Sequence, residues 1–310
     1  MGVEEELAGF PPEKDMMLTI GVFDGVHLGH KYLISQLTGH AQRQNLLGGV
    51  VTFRQHPQEV LSPRTRLPSL TDLDQRIELI KNEGVEAVIA LSFTPEFARL
   101  SVREFIALLK KYLRMCGMVV GPDFALGRSR EGDAAALRVL GKEMGFSVTA
   151  VPPIMINGEV VSSTVIRNAL AGGDMKKVHN LIGRLFSLHG CVVTGAGRGI
   201  KLGFPTANLD INSEQAMPAD GIYATWAHID GQLYQSVTNI GKRPTFDGKV
   251  RTVEVYVLDY RGDLYGREMK IDVAECLRGE KKFGTVAELK KQMVEDVKQS
   301  RAVLDSRGRD

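Results

Sequence analysis

The chain has 310 residues, a length that suggests about two domains of ordinary size. Hydrophobic residues make up 43% and charged residues 25%, which is typical of globular domains that bury a core and excludes a disordered chain. Residues 1–181 hold 20 basic and 20 acidic side chains, and residues 182–310 hold 19 and 17. Neither half is a basic module, so nucleic acid is not expected as the main partner.

The sequence favours a cytoplasmic protein that does not enter a membrane. No apolar stretch reaches the roughly 18 residues of a membrane span, and no basic region followed by an apolar one marks the N-terminus as a secretory signal. The three cysteines lie far apart without CxxC spacing, so neither a disulfide framework nor a zinc site is expected. No feature points to an obligate protein partner. Glu4-Glu5-Glu6 is expected to lie in a solvated N-terminal tail.

The first half alternates strand-like and helix-like segments. Apolar runs predict strands, and apolar residues spaced by three and four predict the helices between them. Strands are expected at residues 18–20, 49–53, 87–91, 118–120 and 147–151, and helices at 31–43, 73–82, 102–113 and 134–144. This order predicts an α/β domain with a doubly wound parallel sheet, whose ligands bind beyond the carboxyl ends of the strands.

His27 and His30 follow the first predicted strand and a glycine-rich turn, where a helical pattern begins. Two residues three apart at a helix start lie on one face, beside backbone N–H groups that have no partner within the helix. Gly29 leaves no side chain between them, so a ligand can approach the backbone. A histidine alone is more often a core or surface residue. Together these features predict an anion site suited to a phosphate chain.

A second phosphate element is predicted at residues 161–167, just before a helical pattern. The hydroxyl of Ser163 or Thr164 can simply cap that helix, which is the commoner role. The alternative is that these hydroxyls and Arg167 point at the same phosphates as the histidines, since the arginine fork matches phosphate geometry.

Three further residues follow predicted strands at the same edge of the sheet. His56 could contact a ligand, although a role in packing its own loop is equally expected. Asp123 could hydrogen-bond the acceptor substrate, whereas Phe124 is as readily a core residue as a stacking platform.

The first half resembles the FMN adenylyltransferase module of the bifunctional bacterial riboflavin kinase/FAD synthetases, which are HxGH nucleotidyltransferases. GVFDGVHLGH, TFxxHP, GPDFxxGxxxxG and VSSTxIR occur in family order, with mild departures at Val22 and Gln55. The resemblance implies that His27 and His30 are catalytic. It implies nucleotide contacts by Gly21, Phe23, Gly25, Ser163, Thr164 and Arg167, and flavin contacts by His56, Asp123 and Phe124.

The second half has a different pattern. Residues 164–186 read as helical, with a break at Gly172-Gly173 that is a plausible hinge or linker. Strand-like runs separated by Gly, Asp and Asn turns then follow at residues 186–193, 221–228, 233–240, 252–258 and 268–275. Their spacing predicts an antiparallel barrel, followed by one amphipathic helix over residues 286–304.

A glycine-rich, basic segment occupies residues 194–208. It lacks P-loop spacing, and a glycine-rich loop alone is weak evidence for a phosphate site. Thr206 and Asn208 offer hard oxygen ligands of the kind that Mg²⁺ on ATP prefers. Glu254 lies on an alternating strand, where an isolated glutamate is more often a solvated residue.

The second half resembles a riboflavin kinase, a six-stranded barrel. GRGxxLGFPTAN, NIGxRPTF, TVEV, LYGRE and KFGTVAELKKQM occur in family order, and Tyr256 departs from the usual His. The resemblance implies that Glu254 is the base for the ribityl 5′-hydroxyl and that Thr206 and Asn208 hold Mg²⁺-ATP. It implies further nucleotide contacts by Gly197, Arg198, Gly199, Lys201, Gly203 and Pro205, and a flavin contact by Arg243.

Together the motifs predict FMN adenylyltransferase activity in residues 1–181 and riboflavin kinase activity in residues 182–310. Riboflavin, FMN, FAD and ATP are the expected ligands, and Mg²⁺ is the expected cofactor. Two alternatives are a single-activity enzyme in which one half has drifted, and a flavin-binding regulator without turnover. The presence of both histidines and of Glu254 argues against the first, and a base beside Mg²⁺ ligands argues against the second.

Overall fold

The computed structural model describes residues 2–62, 64, 67–195, 197–245 and 248–307. The chain divides into two compact units, Met1–Ser163 and Thr164–Asp310. The domain boundary expected between residues 181 and 182 stays a prediction. The division between the units falls earlier in the chain, before two short helices.

The first unit alternates strands and helices as predicted, with extra short elements. In chain order they are α1 Val3–Ala8, β1 Met16–Ile20, α2 Leu28–Arg43, β2 Leu47–Phe53, α3 Pro57–Leu61, α4 Leu73–Lys81, β3 Ala87–Leu91, α5 Val102–Leu113, β4 Met115–Val120, β5 Ala125–Leu126, β6 Gly132–Asp133, α6 Ala134–Met144, β7 Ser147–Ala150, β8 Met155–Ile156 and β9 Glu159–Val160.

Five of these strands form one parallel sheet in the order β3-β2-β1-β4-β7. The strand order reverses between β1 and β4, so the loop after β1 lies at the topological switch point of the sheet. Ligands of open α/β sheets bind at such a point. The predicted doubly wound fold is confirmed, and it places the histidine loop at the edge of the sheet where the sequence pattern predicted a ligand site.

Two apolar layers cover the sheet. On one face, Ile34 and Leu37 of α2 and Ile80 of α4 pack against Met17 and Val50. A larger cluster includes Leu7 of α1, residues of α5 and α6, and strand residues such as Leu18 and Val51. Strands buried on both faces explain why these segments read as continuous apolar runs.

The expectation of a solvated N-terminal tail is wrong. Residues 3–8 form α1, whose Leu7 is fully buried. The Glu6 carboxylate accepts hydrogen bonds from the backbone N–H of Ser92 at 2.8 Å and from its hydroxyl at 2.7 Å. The prediction rested on the run of glutamates and overlooked Leu7, the buried apolar residue beside it. A segment of six residues is also too short to show helical periodicity.

The second unit begins within α7 Ser163–Ala171 and continues with α8 Met175–Ile182. The later elements are β10 Phe186–Val193, α9 Arg198–Leu202, β11 Ala207–Ile211, β12 Gly221–Ile229, β13 Gln232–Thr245, β14 Gly248–Val257, β15 Glu268–Gly279 and α10 Val286–Arg307. The break between α7 and α8 falls at the predicted Gly172-Gly173.

The six strands close into an antiparallel barrel in the order β10-β11-β14-β13-β12-β15. This confirms the predicted barrel and adds β11, a strand that the pattern of apolar runs did not show. Its interior includes the fully buried side chains of Tyr223, Ile240 and Val255. The C-terminal helix α10 packs against the barrel, where Leu304 contacts the cluster of Ala224 and Trp226. No described helix is long and apolar enough to cross a membrane.

Candidate active sites

The loop between β1 and α2 has an unusual backbone. Phe23, Gly25 and Val26 have φ angles of 55°, 82° and 38°. Glycine adopts such angles readily, but a non-glycine residue there costs on the order of 1–3 kcal/mol, and a β-branched valine is a strong outlier. Strain of this kind persists only where surrounding contacts fix the conformation.

Those contacts converge on Asp24, which is 3% exposed. Its carboxylate accepts hydrogen bonds from the backbone N–H groups of Leu70 at 2.9 Å and Thr71 at 3.0 Å, and from the Thr71 hydroxyl. The N–H of Gly25 donates to the same hydroxyl at 3.1 Å. The hydroxyl of Ser163 donates to the backbone carbonyl of Asp24 at 2.9 Å. The loop is therefore held from two distant parts of the chain.

His27 and His30 lie side by side where α2 begins. His27 is the N-cap residue, and its Nδ1 accepts the backbone N–H of His30 at 3.3 Å. In a neutral imidazole this leaves the proton on Nε2, which is a donor. The two rings stack with their centroids 3.6 Å apart, and Phe23 packs edge-on against His30 at 5.1 Å. The structure brings together the two histidines as predicted.

The pKa of His30 is lowered well below its usual value. Burial of the ring is the largest cause, followed by electrostatic repulsion from His27 and Arg76. The Nδ1 atom of His30 is buried and has no hydrogen-bond partner among the described residues. An anion bound beside this helix start would favour the protonated ring and strengthen the hydrogen bonds donated to it.

Gly29 has little room for a side chain. A Cβ on this residue would lie 3.1 Å from the His27 ring and 3.4 Å from the carbonyl oxygen of Val161. Any side chain here would push against the ring that caps the helix.

The other predicted residues of the first unit lie on several loops. His56 caps α3, and its Nδ1 accepts the N–H of Gln58 at 3.1 Å. Phe124 is partly buried against the larger apolar cluster. Asp123 is exposed, and its carbonyl accepts a hydrogen bond from Arg130 at 3.0 Å. Flavin contacts by the three predicted residues stay a prediction.

Thr164 and Arg167 lie on α7, directly after Ser163. Their role beside the histidines stays a prediction, as do contacts of a nucleotide with Gly21, Phe23 and Gly25.

Sequence patterns missed Asp24, Thr71 and Arg76 as organisers of the loop. The sequence offered one signal. Arg76 lies four residues before the apolar Ile80 in a short helix, so both side chains lie on the buried face.

A cavity of about 620 Å³ lies between the barrel and α10. Glu254 of β14 lines it and pairs in register with Asn208 of β11 and Asn239 of β13. Thr206, just before β11, lines it too. The structure thus groups Glu254, Thr206 and Asn208 on adjacent segments, although their separation along the sequence is large. Asn239 is a lining residue that the sequence pattern did not single out.

Two glycines let the loop before β11 close onto these side chains. A Cβ on Gly195 would lie 2.1 Å from the amide nitrogen of Asn208. A Cβ on Gly199 would lie 2.3 Å from the carbonyl oxygen of Phe204 and 3.2 Å from the Thr206 hydroxyl. The glycine-rich composition therefore serves close approach to the predicted metal ligands.

The sequence did not single out three further residues that line the cavity, Arg278, Phe283 and Asp296. Arg278 of β15 makes a bidentate pair with Asp296 of α10, at 2.8 and 2.7 Å. The Arg278 guanidinium lies 5.9 Å from the centre of the Phe283 ring, and all three residues line the cavity. This part of the cavity wall carries a cation, a carboxylate and an aromatic face.

Several predicted nucleotide contacts remain predictions. The side chains of Arg198 and Arg243 lie outside the described part of the chain. Gly197 and Gly203 have φ angles of 65° and 86°, and Lys201 and Pro205 are exposed.

The donor set of the cavity fits a magnesium ion carried by a nucleotide. In the described part of the chain, no three His, Cys, Asp or Glu residues form a metal-binding group. Mg²⁺ needs no such group, because it takes one or two protein oxygens and completes its shell with water and phosphate. Thr206 and Glu254, which line the cavity, offer oxygens of this kind, and so does Asn208, which pairs in register with Glu254.

The first unit has the architecture of a doubly wound α/β domain, a class that binds ligands at the switch point, and its histidine-bearing loop lies there. The second unit is a barrel in which Glu254 lines the cavity beside α10. Comparison with known families agrees with this class. Residues 11–165 match the family model of FAD synthetase, and residues 182–304 match that of riboflavin kinase.

Two curated relatives span nearly the whole chain. The bifunctional riboflavin kinase/FMN adenylyltransferase of Escherichia coli K12 is 37% identical over 287 residues, covering 92% of this chain and 91% of the relative. The enzyme of the same description from Bacillus subtilis 168 is 33% identical, covering 90% of each. The chain belongs to the family of bifunctional riboflavin kinase/FMN adenylyltransferases.

A solved structure shares this architecture. A Streptococcus pneumoniae protein described as a macrolide-efflux protein is 32% identical, with a TM-score of 0.89 and coverage of 95% of this chain and 96% of that one.

Proposed function

We propose that this chain makes FAD from riboflavin in two ATP-dependent steps, one in each unit. The observation that carries the proposal is that a single chain holds two built sites. One is the stacked histidine pair at the switch point. The other is Glu254, which lines the cavity between the barrel and α10 together with Thr206 and pairs in register with Asn208.

In the barrel, Glu254 accepts the proton of the ribityl 5′-hydroxyl of riboflavin, and the hydroxyl oxygen attacks the γ-phosphate of ATP. FMN and ADP are the products. Thr206 and Asn208 would hold Mg²⁺, which supplies charge neutralisation on the phosphates when bound. The protein contributes mainly position and electrostatics, as is usual in phosphoryl transfer.

In the first unit, a phosphate oxygen of FMN attacks the α-phosphate of a second ATP, and pyrophosphate leaves as FAD forms. His27 presents an Nε2–H, and His30 gains a proton as negative charge accumulates beside it. Ser163, the last residue of this unit, contributes to the phosphate site. No covalent intermediate with the enzyme is required.

We place the enzyme in the cytoplasm, where ATP is supplied, and expect it to need no obligate protein partner. The test is chromatography of riboflavin incubated with the pure protein, ATP and Mg²⁺, with an EDTA-treated sample as control. FMN followed by FAD is expected. If riboflavin gave only FMN, and supplied FMN gave no FAD, the chain would be a single-activity enzyme. Unchanged riboflavin retained by the protein would indicate a binding protein.

A further inference from the structure

Arg76 on α4 is a buried cation that the proposed chemistry does not use. It is 5% exposed, and its guanidinium donates to three backbone carbonyls. The acceptors are the oxygen of Val22 at 3.0 Å, that of Phe53 at 2.7 Å and that of Arg54 at 3.4 Å.

These carbonyls belong to two loops at the active edge of the sheet. Val22 lies in the β1–α2 loop that carries the histidine pair, and Phe53 and Arg54 lie at the end of β2, before His56. One planar fork thus joins the carboxyl ends of two adjacent strands. A lysine has a single ammonium group in place of this fork and cannot reproduce the arrangement.

The segment from Leu70 to Arg76 contacts the histidine loop at two places. Leu70 and Thr71 bind the Asp24 carboxylate, and Arg76 binds the carbonyl of Val22. The strained residues Phe23 and Val26 lie within or beside these two attachments. The shape of the loop therefore depends on the segment from Leu70 to Arg76.

The hydrogen bonds of the Arg76 guanidinium go to backbone carbonyls, which carry no formal charge. Burial lowers the pKa of its guanidinium, and the nearby carboxylates of Asp24, Asp72 and Glu59 oppose that effect. Its Nε is buried without a hydrogen-bond partner among the described residues. A cation held on neutral carbonyls beside an anion site adds positive potential where phosphate charge accumulates.

We propose that Arg76 is a positioning residue for adenylyl transfer, which fixes the histidine loop and the loop after β2 in one arrangement and adds positive charge beside the phosphate site. The inference rests on the proposed function of the first unit.

The test compares Arg76→Met and Arg76→Lys in the full chain, with the exposed Arg103→Met as the matched control. FAD formation from FMN and ATP is expected to lose about 100-fold in kcat in Arg76→Met, because a small misplacement of reacting groups has an effect of that order. The KM for ATP is expected to change less than about threefold, and Arg76→Lys to recover less than about tenfold. FMN formation from riboflavin, in the other unit, is expected to stay unchanged.

Two further readouts separate positioning from folding. Amide hydrogen exchange of residues 22–27 and 53–56 is expected to accelerate in Arg76→Met, while the melting temperature of the chain shows whether the unit is folded. The pKa of His30, followed by NMR, is expected to rise. His27, from its own helix, and Arg76, from α4, are the charged groups that lower it.

A folded Arg76→Met chain with kcat within about threefold of the wild type would overturn the proposal. If that variant does not fold, a folded Arg76→Lys chain with full kcat would overturn it equally. If the wild type itself makes no FAD, the proposed function fails. The exchange and His30 readouts then decide on their own whether Arg76 positions the loops.

Discussion

His30 combines a buried ring nitrogen with the neighbouring groups His27 and Arg76, and its chemistry depends on that combination. Without a ligand its pKa is lowered, first because burial disfavours the charged ring and then because of repulsion from these two neighbours. We expect a bound triphosphate to oppose these effects and favour the protonated ring. His30 would then donate a stronger hydrogen bond to the substrate.

Acid should destabilise the first unit through His30. The pKa of this histidine is lowered in the folded state, so below its unfolded value of about 6.5 the unfolded chain takes up a proton that the folded chain does not. The free energy of unfolding should therefore fall as the pH drops below that value. The expected decrease is on the order of 1 kcal/mol per pH unit. In His30→Gln this loss should disappear.

Denaturation by urea, followed by circular dichroism at about pH 7.5 and about pH 5.5, on either side of the unfolded-state pKa, measures the effect. His40→Gln, on the same helix, is the control and should retain the pH dependence of the wild type. An identical pH dependence in His30→Gln and wild type would refute this assignment.

Asp24 should be a stability residue as well as a loop organiser. Asp24→Asn replaces one acceptor oxygen by an NH₂ group that would face backbone N–H donors. We expect a loss of about 1–3 kcal/mol in the free energy of unfolding, the usual effect of leaving buried polar groups unpaired. Asp123→Asn, at an exposed position, should change it little. Equal stability of the two variants would show that the Asp24 contacts contribute little.

The glycine-rich loop before β11 can approach Thr206 and Asn208 closely because its glycines have no side chains. Gly199→Ala would place a Cβ 2.3 Å from the Phe204 carbonyl, a backbone atom that cannot move freely. We expect a loss of at least about tenfold in FMN formation, because the loop must withdraw from Thr206. FAD formation from supplied FMN should persist. Gly279→Ala, where nothing lies within 4 Å, is the control. Full kinase activity in Gly199→Ala would contradict the close approach.

The sequence predicted the long elements well, since buried parallel strands read as continuous apolar runs and amphipathic helices such as α5 have a clear period. It missed β11, because that strand begins inside a motif that reads as a loop, Pro-Thr-Ala-Asn, and continues only to Ile211. It also missed α1 and the two-residue strands of the β5–β6 and β8–β9 hairpins, which are shorter than any periodic signal.

Site residues could be predicted where they are close together in the sequence. His27 and His30 are neighbours in one motif, so their proximity follows from local structure. Arg278 and Asp296 meet only because β15 and α10 pack together, and Asp24 reaches Thr71 across 47 positions of the sequence. Side-chain contacts between distant segments are set by tertiary packing, which no local pattern encodes.

For the whole molecule, we assign the two steps to separate units of one chain. FMN made in one chain should therefore serve another. A mixture of a kinase-deficient and an adenylyltransferase-deficient variant should convert riboflavin to FAD, because FMN released from one chain can diffuse to the intact site of another. Chromatography of the mixture against each variant alone measures this. Failure of the mixture, with each variant active in its remaining step, would indicate that FMN does not leave the chain in which it forms.

The most direct test of the two-site assignment is the reciprocal pair Glu254→Gln and His30→Ala, each supplied with riboflavin or with FMN in the presence of ATP and Mg²⁺. Glu254→Gln should lose at least about 100-fold in FMN formation and still make FAD from FMN. His30→Ala should make FMN from riboflavin and lose about 100-fold or more in FAD formation. If either substitution abolished both steps in a folded chain, the assignment of one site to each unit would be wrong.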